Sequence, residues 1–174
     1  MIFPTRVTWR GSVPSRGDAP ALIQGPGDVV LVSRGGQERW LVFRCPSGCG
    51  DELPINLDPR TGAAWRLYNP GPTVSVYPSV WRESGCRAHF IVSRGRLWGL
   101  SRDRDIWHSP DLDESIISTV RSHLTGTFRH YYDVAVSSGL EPWETLGACS
   151  LLVRRHEAVE GVGKSRDCFR RPTQ

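Results

Sequence analysis

Apolar residues recur along this chain first with a period of two and later with a period near 3.6. Asp28 to Ser33 reads Asp-Val-Val-Leu-Val-Ser, β-branched and apolar, which predicts a strand. Arg34-Gly35-Gly36-Gln37 predicts a hairpin turn, because paired glycines supply the positive φ such turns require. Arg39 to Arg44 is the predicted return strand, and it delivers Cys45. Further short strands are expected over Asp51–Leu57, Ala64–Tyr68 and Thr73–Tyr77, with turns at Asp58–Gly62 and Asn69–Pro72. Val74 and Val76 alternate with polar neighbours, so one face of that last strand is buried, and Pro78 is expected to end it. Phe90–Val92 and Leu97–Leu100, joined through Ser93–Arg96, form a final predicted hairpin.

The second half changes period. Ser109-Pro110-Asp111 has the form of a helix start, and Leu112, Ile116, Ile117, Val120 and Leu124 follow at helical spacing until Thr125-Gly126. Tyr131 to Val136 fits either helix or strand. Glu141-Pro142-Trp143 opens a second helix reaching about Val153. Beyond Glu157 the chain is rich in Gly and Arg and is expected to fray. The N-terminal segment is proline-rich loop with an edge strand at Thr5–Trp9. The expected architecture is α+β: an antiparallel β-rich zinc-knuckle domain with C-terminal helices. Its segments are an N-terminal loop (1–27), a zinc-binding β domain (28–108), a helical appendage (109–157) and a flexible tail (158–174).

The chemistry concentrates between Cys45 and His89. Cys45-Pro46-Ser47-Gly48-Cys49-Gly50 opens this stretch and Gly85-Cys86-Arg87-Ala88-His89 closes it. Three thiols and an imidazole in two short knuckles match the ligand demand of a tetrahedral zinc ion, so Cys45, Cys49, Cys86 and His89 are the candidate metal ligands. Four protein ligands would close the coordination sphere and make the ion structural; without His89 a position would stay open. Ser79 follows Pro78 just ahead of the second knuckle. It is a candidate nucleophile if a base lies in reach, or else a turn-capping hydroxyl. His89 is the base nearest in sequence, and it cannot serve as a free base while bound to zinc. Cys149, among apolar residues of a helix, reads as a small core residue. His108, His123, His130 and His156 share no motif.

Composition narrows the class. Hydrophobic content is 39% over 174 residues, enough for a packed core, and no apolar run approaches bilayer length. No secretion signal opens the chain, so a cytoplasmic protein with reduced thiols is expected, and the five Cys read better as ligands and core residues than as disulfides. The net charge of +4 is scattered among acids, as in Arg102-Asp103-Arg104-Asp105, which argues against a nucleic-acid-binding face. Lys164 is the only lysine; GC-rich coding explains this, and so would avoidance of lysine in a protein that handles lysine-directed conjugation.

Four stretches together carry a resemblance: Arg44–Gly50, then Val74-Ser75-Val76-Tyr77-Pro78-Ser79-Val80, then Gly85–Ile91, then Gly95-Arg96-Leu97-Trp98. Over residues 28 to 100 the chain resembles a bacterial zinc-binding domain whose members read Cys-Pro-Cys-Gly-Cys-Gly, Ser-Leu-x-Pro-Ser-Ile and Cys-x-Ser-His-aromatic. Such domains occur in phages and beside bacterial genes for ubiquitin-like conjugation, which encode relatives of E1 and E2 enzymes and a ubiquitin-like protein. The resemblance implies a serine-type peptidase that trims the ubiquitin-like precursor or releases it from targets, in an antiphage-type pathway. Its implied partners are the ubiquitin-like protein, its conjugating enzymes or its conjugates. The competing reading is a non-catalytic zinc module that binds those partners. This chain departs from the pattern twice. Ser47 stands where the family has its middle cysteine, and Ala88 stands where the family has a serine before the histidine. If that serine is the nucleophile, the chain is inactive; if Ser79 is, Ala88 is tolerated.

Overall fold

The computed structural model describes residues 4–99 and 112–173. The chain divides into two compact units, Met1–Ile106 and Trp107–Gln174.

The first unit contains two four-stranded sheets. One has the order β1-β2-β3-β4: β1 Thr8–Val13, β2 Asp28–Arg34, β3 Gln37–Arg44 and β4 Glu52–Asn56. The other has the order β5-β6-β7-β8: β5 Arg66–Tyr68, β6 Ser75–Trp81, β7 His89–Ser93 and β8 Arg96–Gly99. All pairings are antiparallel except that of β1 with β2, which is parallel. The two sheets share one core. Val29, Leu31, Leu41, Phe43 and Ile55 from the first meet Val76, Val80, Phe90, Val92 and Leu97 from the second. Phe43 and Phe90 sit edge to face across it, with ring centroids 5.7 Å apart. The outer face of the first sheet carries a second cluster, in which Val30, Val32 and Val42 pack against Ala19 and Ile23. This accounts for the unbroken apolar run in β2: both of its faces are covered, so period-two alternation has no polar half.

Most of the predicted strands are present. Two differ for instructive reasons. The edge strand at the N-terminus lies at Thr8–Val13, later than Thr5–Trp9, because its register is set by β2. And β6 continues past Pro78 to Trp81 instead of ending there. It does so through an irregular stretch: Val76 pairs with Val92 and Val80 with Phe90, so three residues of β6 stand against one of β7. Pro78 falls inside that interruption, where no ladder hydrogen bond is asked of it. Leu100, expected in the last hairpin, lies outside the described residues.

The described residues of the second unit form three α-helices, α1 Glu114–His123, α2 Tyr131–Ser138 and α3 Pro142–Arg154. The expected start of α1 at Ser109–Asp111 lies outside the described residues, as does His108. The N-cap is Asp113, whose carboxylate accepts the Ser115 N–H at 2.8 Å. The ambiguous Tyr131–Val136 segment is helical and is closed by Gly139 in the left-handed region. Cys149 is fully buried, as expected of a core residue. The segment after Glu157, expected to be frayed and flexible, instead forms strands. Val159–Glu160 (β10) and Arg129–His130 (β9) pair on either side of Cys168–Arg170 (β11), and Phe169 is buried at 1% exposure. Its buried residue, Phe169, pairs with Glu160 on one side and with Arg129, 40 positions earlier, on the other, and no local pattern reveals that second pairing.

One turn holds the second sheet closed. Arg94 and Gly95 both have positive φ, at 50° and 72°, as the tight turn between β7 and β8 requires. A Cβ on Gly95 would lie 2.0 Å from the Pro72 carbonyl oxygen. Gly36 has a similar φ of 74° but open space around it. Gly95→Ala is therefore expected to lower unfolding free energy by more than about 2 kcal/mol and Gly36→Ala by about 1 kcal/mol, read from urea melts of the two variants.

Candidate active site and metal centre

Two hairpin ends meet at one edge of the first unit. The β3–β4 connection carries Cys45 and Cys49, and the β6–β7 connection carries Cys86. Their sulfurs lie within 4.8 Å of one another, and Cys45 Sγ to Cys86 Sγ is 3.6 Å. A zinc ion at about 2.3 Å from each sulfur would space the sulfurs by roughly 3.8 Å, so the three thiols fit a tetrahedral thiolate site. All five cysteines are free thiols.

The knuckle backbone prepares these ligands. Gly48 and Gly50 take φ of 76° and 86°, folding the chain so that Cys45 N–H reaches the Asp51 carbonyl at 2.9 Å and Gly48 N–H the Cys45 carbonyl at 3.1 Å. Arg87, with φ 53°, makes the corresponding bend in the second knuckle. The thiols differ in character. Cys45 is fully buried, and burial pushes its thiol up to about 11. At Cys86 burial also opposes ionisation, but hydrogen bonds from Ser47, the Ala88 backbone N–H and the neighbouring thiols outweigh it and hold the thiol at about 6. A thiolate thus forms readily at the exposed corner of the cluster.

Arg82 closes the site from outside. Its Nη1 lies 3.5 Å from Cys49 Sγ and 3.7 Å from Cys86 Sγ and forms an ion pair with Asp51. That pairing holds the Asp51 carboxyl below the usual carboxylate range. The pair again ties one hairpin to the other. The sequence reading missed both residues; opposite charges flanking the two knuckles were the available signal.

His89 lies outside the thiol cluster. Its Nε2 is 3.0 Å from Ser79 Oγ. Strand register explains this: Trp81 pairs directly with His89, and Ser79, two residues before Trp81, lies diagonally across from it on the same face. Both side chains are half-buried. The Ser79 backbone is fixed from below, where the Trp65 indole N–H donates to its carbonyl at 3.3 Å. Trp81 is 62% exposed, and its ring centroid lies 6.1 Å from that of His89. Ala88 faces the other way. It is 9% exposed within the shared core, and its carbonyl accepts the Arg82 N–H at 2.9 Å. Of the predicted residues, then, three thiols converge, Ser79 and His89 form a separate pair, and Ala88 points into the core.

A serine hydroxyl and an imidazole nitrogen at hydrogen-bond distance are two of the groups that nucleophilic catalysis by serine requires. Residues 15–100 match the family model of BubE, the bacterial ubiquitination-like system serine protease. The match spans just under half of the chain and contains every motif on which the resemblance was drawn, including both knuckles, Ser79 and His89. The BubE-like segment ends where β8 ends and includes none of the helical unit. No curated protein matches the chain, and no solved structure does. Among the described residues no helix is long and apolar enough to cross a membrane.

Cys86 is exposed, so its loss removes a ligand without opening a core cavity. Protein purified without chelator is expected to carry about one equivalent of zinc and Cys86→Ser close to none, with a lower melting temperature, as measured by elemental analysis and thermal unfolding.

Proposed function

We propose that this chain is a serine peptidase acting at the C-terminus of a bacterial ubiquitin-like protein, with Ser79 as nucleophile and His89 as general base. The observation that carries the proposal is the 3.0 Å contact between His89 Nε2 and Ser79 Oγ. The match of the surrounding segment to a serine protease of a ubiquitination-like system supports the same reading.

In this mechanism His89 Nε2 takes the Ser79 proton as Oγ attacks the carbonyl of the modifier's last residue. The tetrahedral intermediate collapses to an ester on Ser79, and the imidazolium gives its proton to the departing amine. Water, activated by the same imidazole, then hydrolyses the ester and releases the modifier's carboxylate. The Trp65 contact to the Ser79 carbonyl holds the nucleophile's backbone, and the irregular stretch of β6 frees its side chain to meet His89. Cys45, Cys49 and Cys86 would hold a zinc ion whose contribution is structural, fixing the β6–β7 hairpin that carries both reacting groups. The pathway would be one of antiphage-type conjugation, with the ubiquitin-like protein, its conjugates or its conjugating enzymes as partners. Trp81, exposed on the same face as the dyad, offers an apolar contact for the modifier's tail.

The second reading, a zinc module that binds the modifier without cutting it, is favoured by one feature: alanine at position 88 where the family pattern has serine. The burial of Ala88 in the core weighs against a nucleophile there.

The test is cleavage of a C-terminally extended ubiquitin-like precursor. Wild-type protein should cleave it, and Ser79→Ala should lower kcat by about a thousandfold or more while leaving the melting temperature unchanged. Ala88→Ser should leave kcat within a few fold. An inert wild type that becomes active on Ala88→Ser would assign the nucleophile to position 88, and binding without cleavage by either protein would favour the binding module. With the same precursor, Trp81→Ala is expected to raise KM about tenfold with little change in kcat, because its contact is made before the chemical step.

A further inference from the structure

The three thiols leave one corner of a tetrahedron, and the side chains around it can be compared by chemistry. His89 is engaged with Ser79 and lies outside the thiol cluster. Arg82 touches two of the sulfurs but has no lone pair to offer. Asp51 contacts Cys49 alone, at 3.6 Å; its carboxylate is paired with Arg82 and lies outside the group of metal-spaced ligand atoms. Ser47 remains, and it touches both thiol residues of its own knuckle. Its Oγ is 3.1 Å from Cys45 Sγ, which is itself 3.6 Å from Cys86 Sγ, and it accepts the Cys49 backbone N–H at 3.4 Å. It stands midway between Cys45 and Cys49 in one glycine-bent turn, so its hydroxyl is carried inward with the sulfurs on either side.

We propose that Ser47 Oγ is the fourth ligand of this site, which would make the metal centre three thiolates and one hydroxyl oxygen. Charge is consistent with a neutral hydroxyl there. Three thiolates around a dication leave one negative charge, and the Arg82 guanidinium beside Cys49 and Cys86 offsets it. An alkoxide would leave a second negative charge with no partner beside it. The oxygen corner is the weakest bond of the four, because a hard neutral donor competes poorly for a borderline-soft ion. Metal exchange would therefore begin at Ser47, and the site would hold zinc less tightly than an all-thiolate one. This proposal stands apart from the peptidase reading, since it concerns the donor set alone.

The full-length chain loaded with cobalt(II) tests it, because sulfur-to-cobalt charge-transfer absorption counts thiolates. Ser47→Cys is expected to raise that absorption by about one third and to slow zinc loss to a chromophoric chelator about tenfold. Ser47→Ala is expected to leave the charge-transfer intensity unchanged, shift the ligand-field bands as water replaces the hydroxyl, and speed zinc loss several-fold. If Ser47→Cys leaves both absorption and release unchanged, the corner lies elsewhere and the proposal fails. It fails equally if Ser47→Ala matches wild type in ligand-field bands and release. Loss of a ligand-field signature on His89→Gln but not on Ser47→Ala would assign the corner to the histidine instead.

Discussion

Two sheets that share a core must be held in one alignment at their open ends, and three sulfur atoms from two hairpins converge where such a constraint would act. Cys45 and Cys49 belong to a hairpin of one sheet and Cys86 to a hairpin of the other. Apolar packing between the sheets is non-directional and would tolerate small slides. A metal held by ligands from both hairpins, flanked by the Arg82–Asp51 ion pair running the same way, would not. The Ser79–His89 contact spans the hairpin that carries Cys86: Ser79 lies a few residues before its turn and His89 immediately after. A shift of an ångström between β6 and β7 would separate them.

The dyad itself depends on a local departure from regular pairing. In an uninterrupted ladder Pro78 would be asked for a hydrogen bond it cannot make. The three-against-one stretch between Val76 and Val80 removes that demand, and the ladder is regained in time for Trp81 to pair with His89. Val80 and Phe90 then point into the core while Ser79, Trp81 and His89 share the opposite face. The same alternation sends Ala88 inward. A hydroxyl at that position would sit among core side chains, whereas Ser79 is reachable from solvent.

Much of the β architecture is legible in the chain, because its signals are local. The Gly35-Gly36 turn, the apolar run of β2 and the paired knuckles each announce themselves within a few residues. What the sequence left open is non-local. Which side chain His89 meets depends on which residue stands across the ladder from it, and the register shift in β6 brings Ser79 there. The parallel pairing of β1 with β2 and the strand at Cys168–Arg170 depend on partners tens of residues away. Period-two patterns place a residue on a face; they do not say what the face meets. Arg82 and Asp51 were missed for the same reason, since neither residue type marks a thiolate site until the fold brings them to it.

The separation between Cys45 and Cys86, 41 positions along the chain, has a kinetic consequence. Ligands from a single turn can capture an ion as soon as that turn forms. Here the third sulfur would join the other two once both sheets have paired and docked, which would place capture of a metal late in folding, behind the slow non-local contacts of a β-rich unit. A nascent or damaged chain would present at most a two-thiol fragment of the site. Possession of the ion would then mark a molecule whose Ser79 and His89 have already been brought together, so that metal occupancy and catalytic competence would be acquired in the same step.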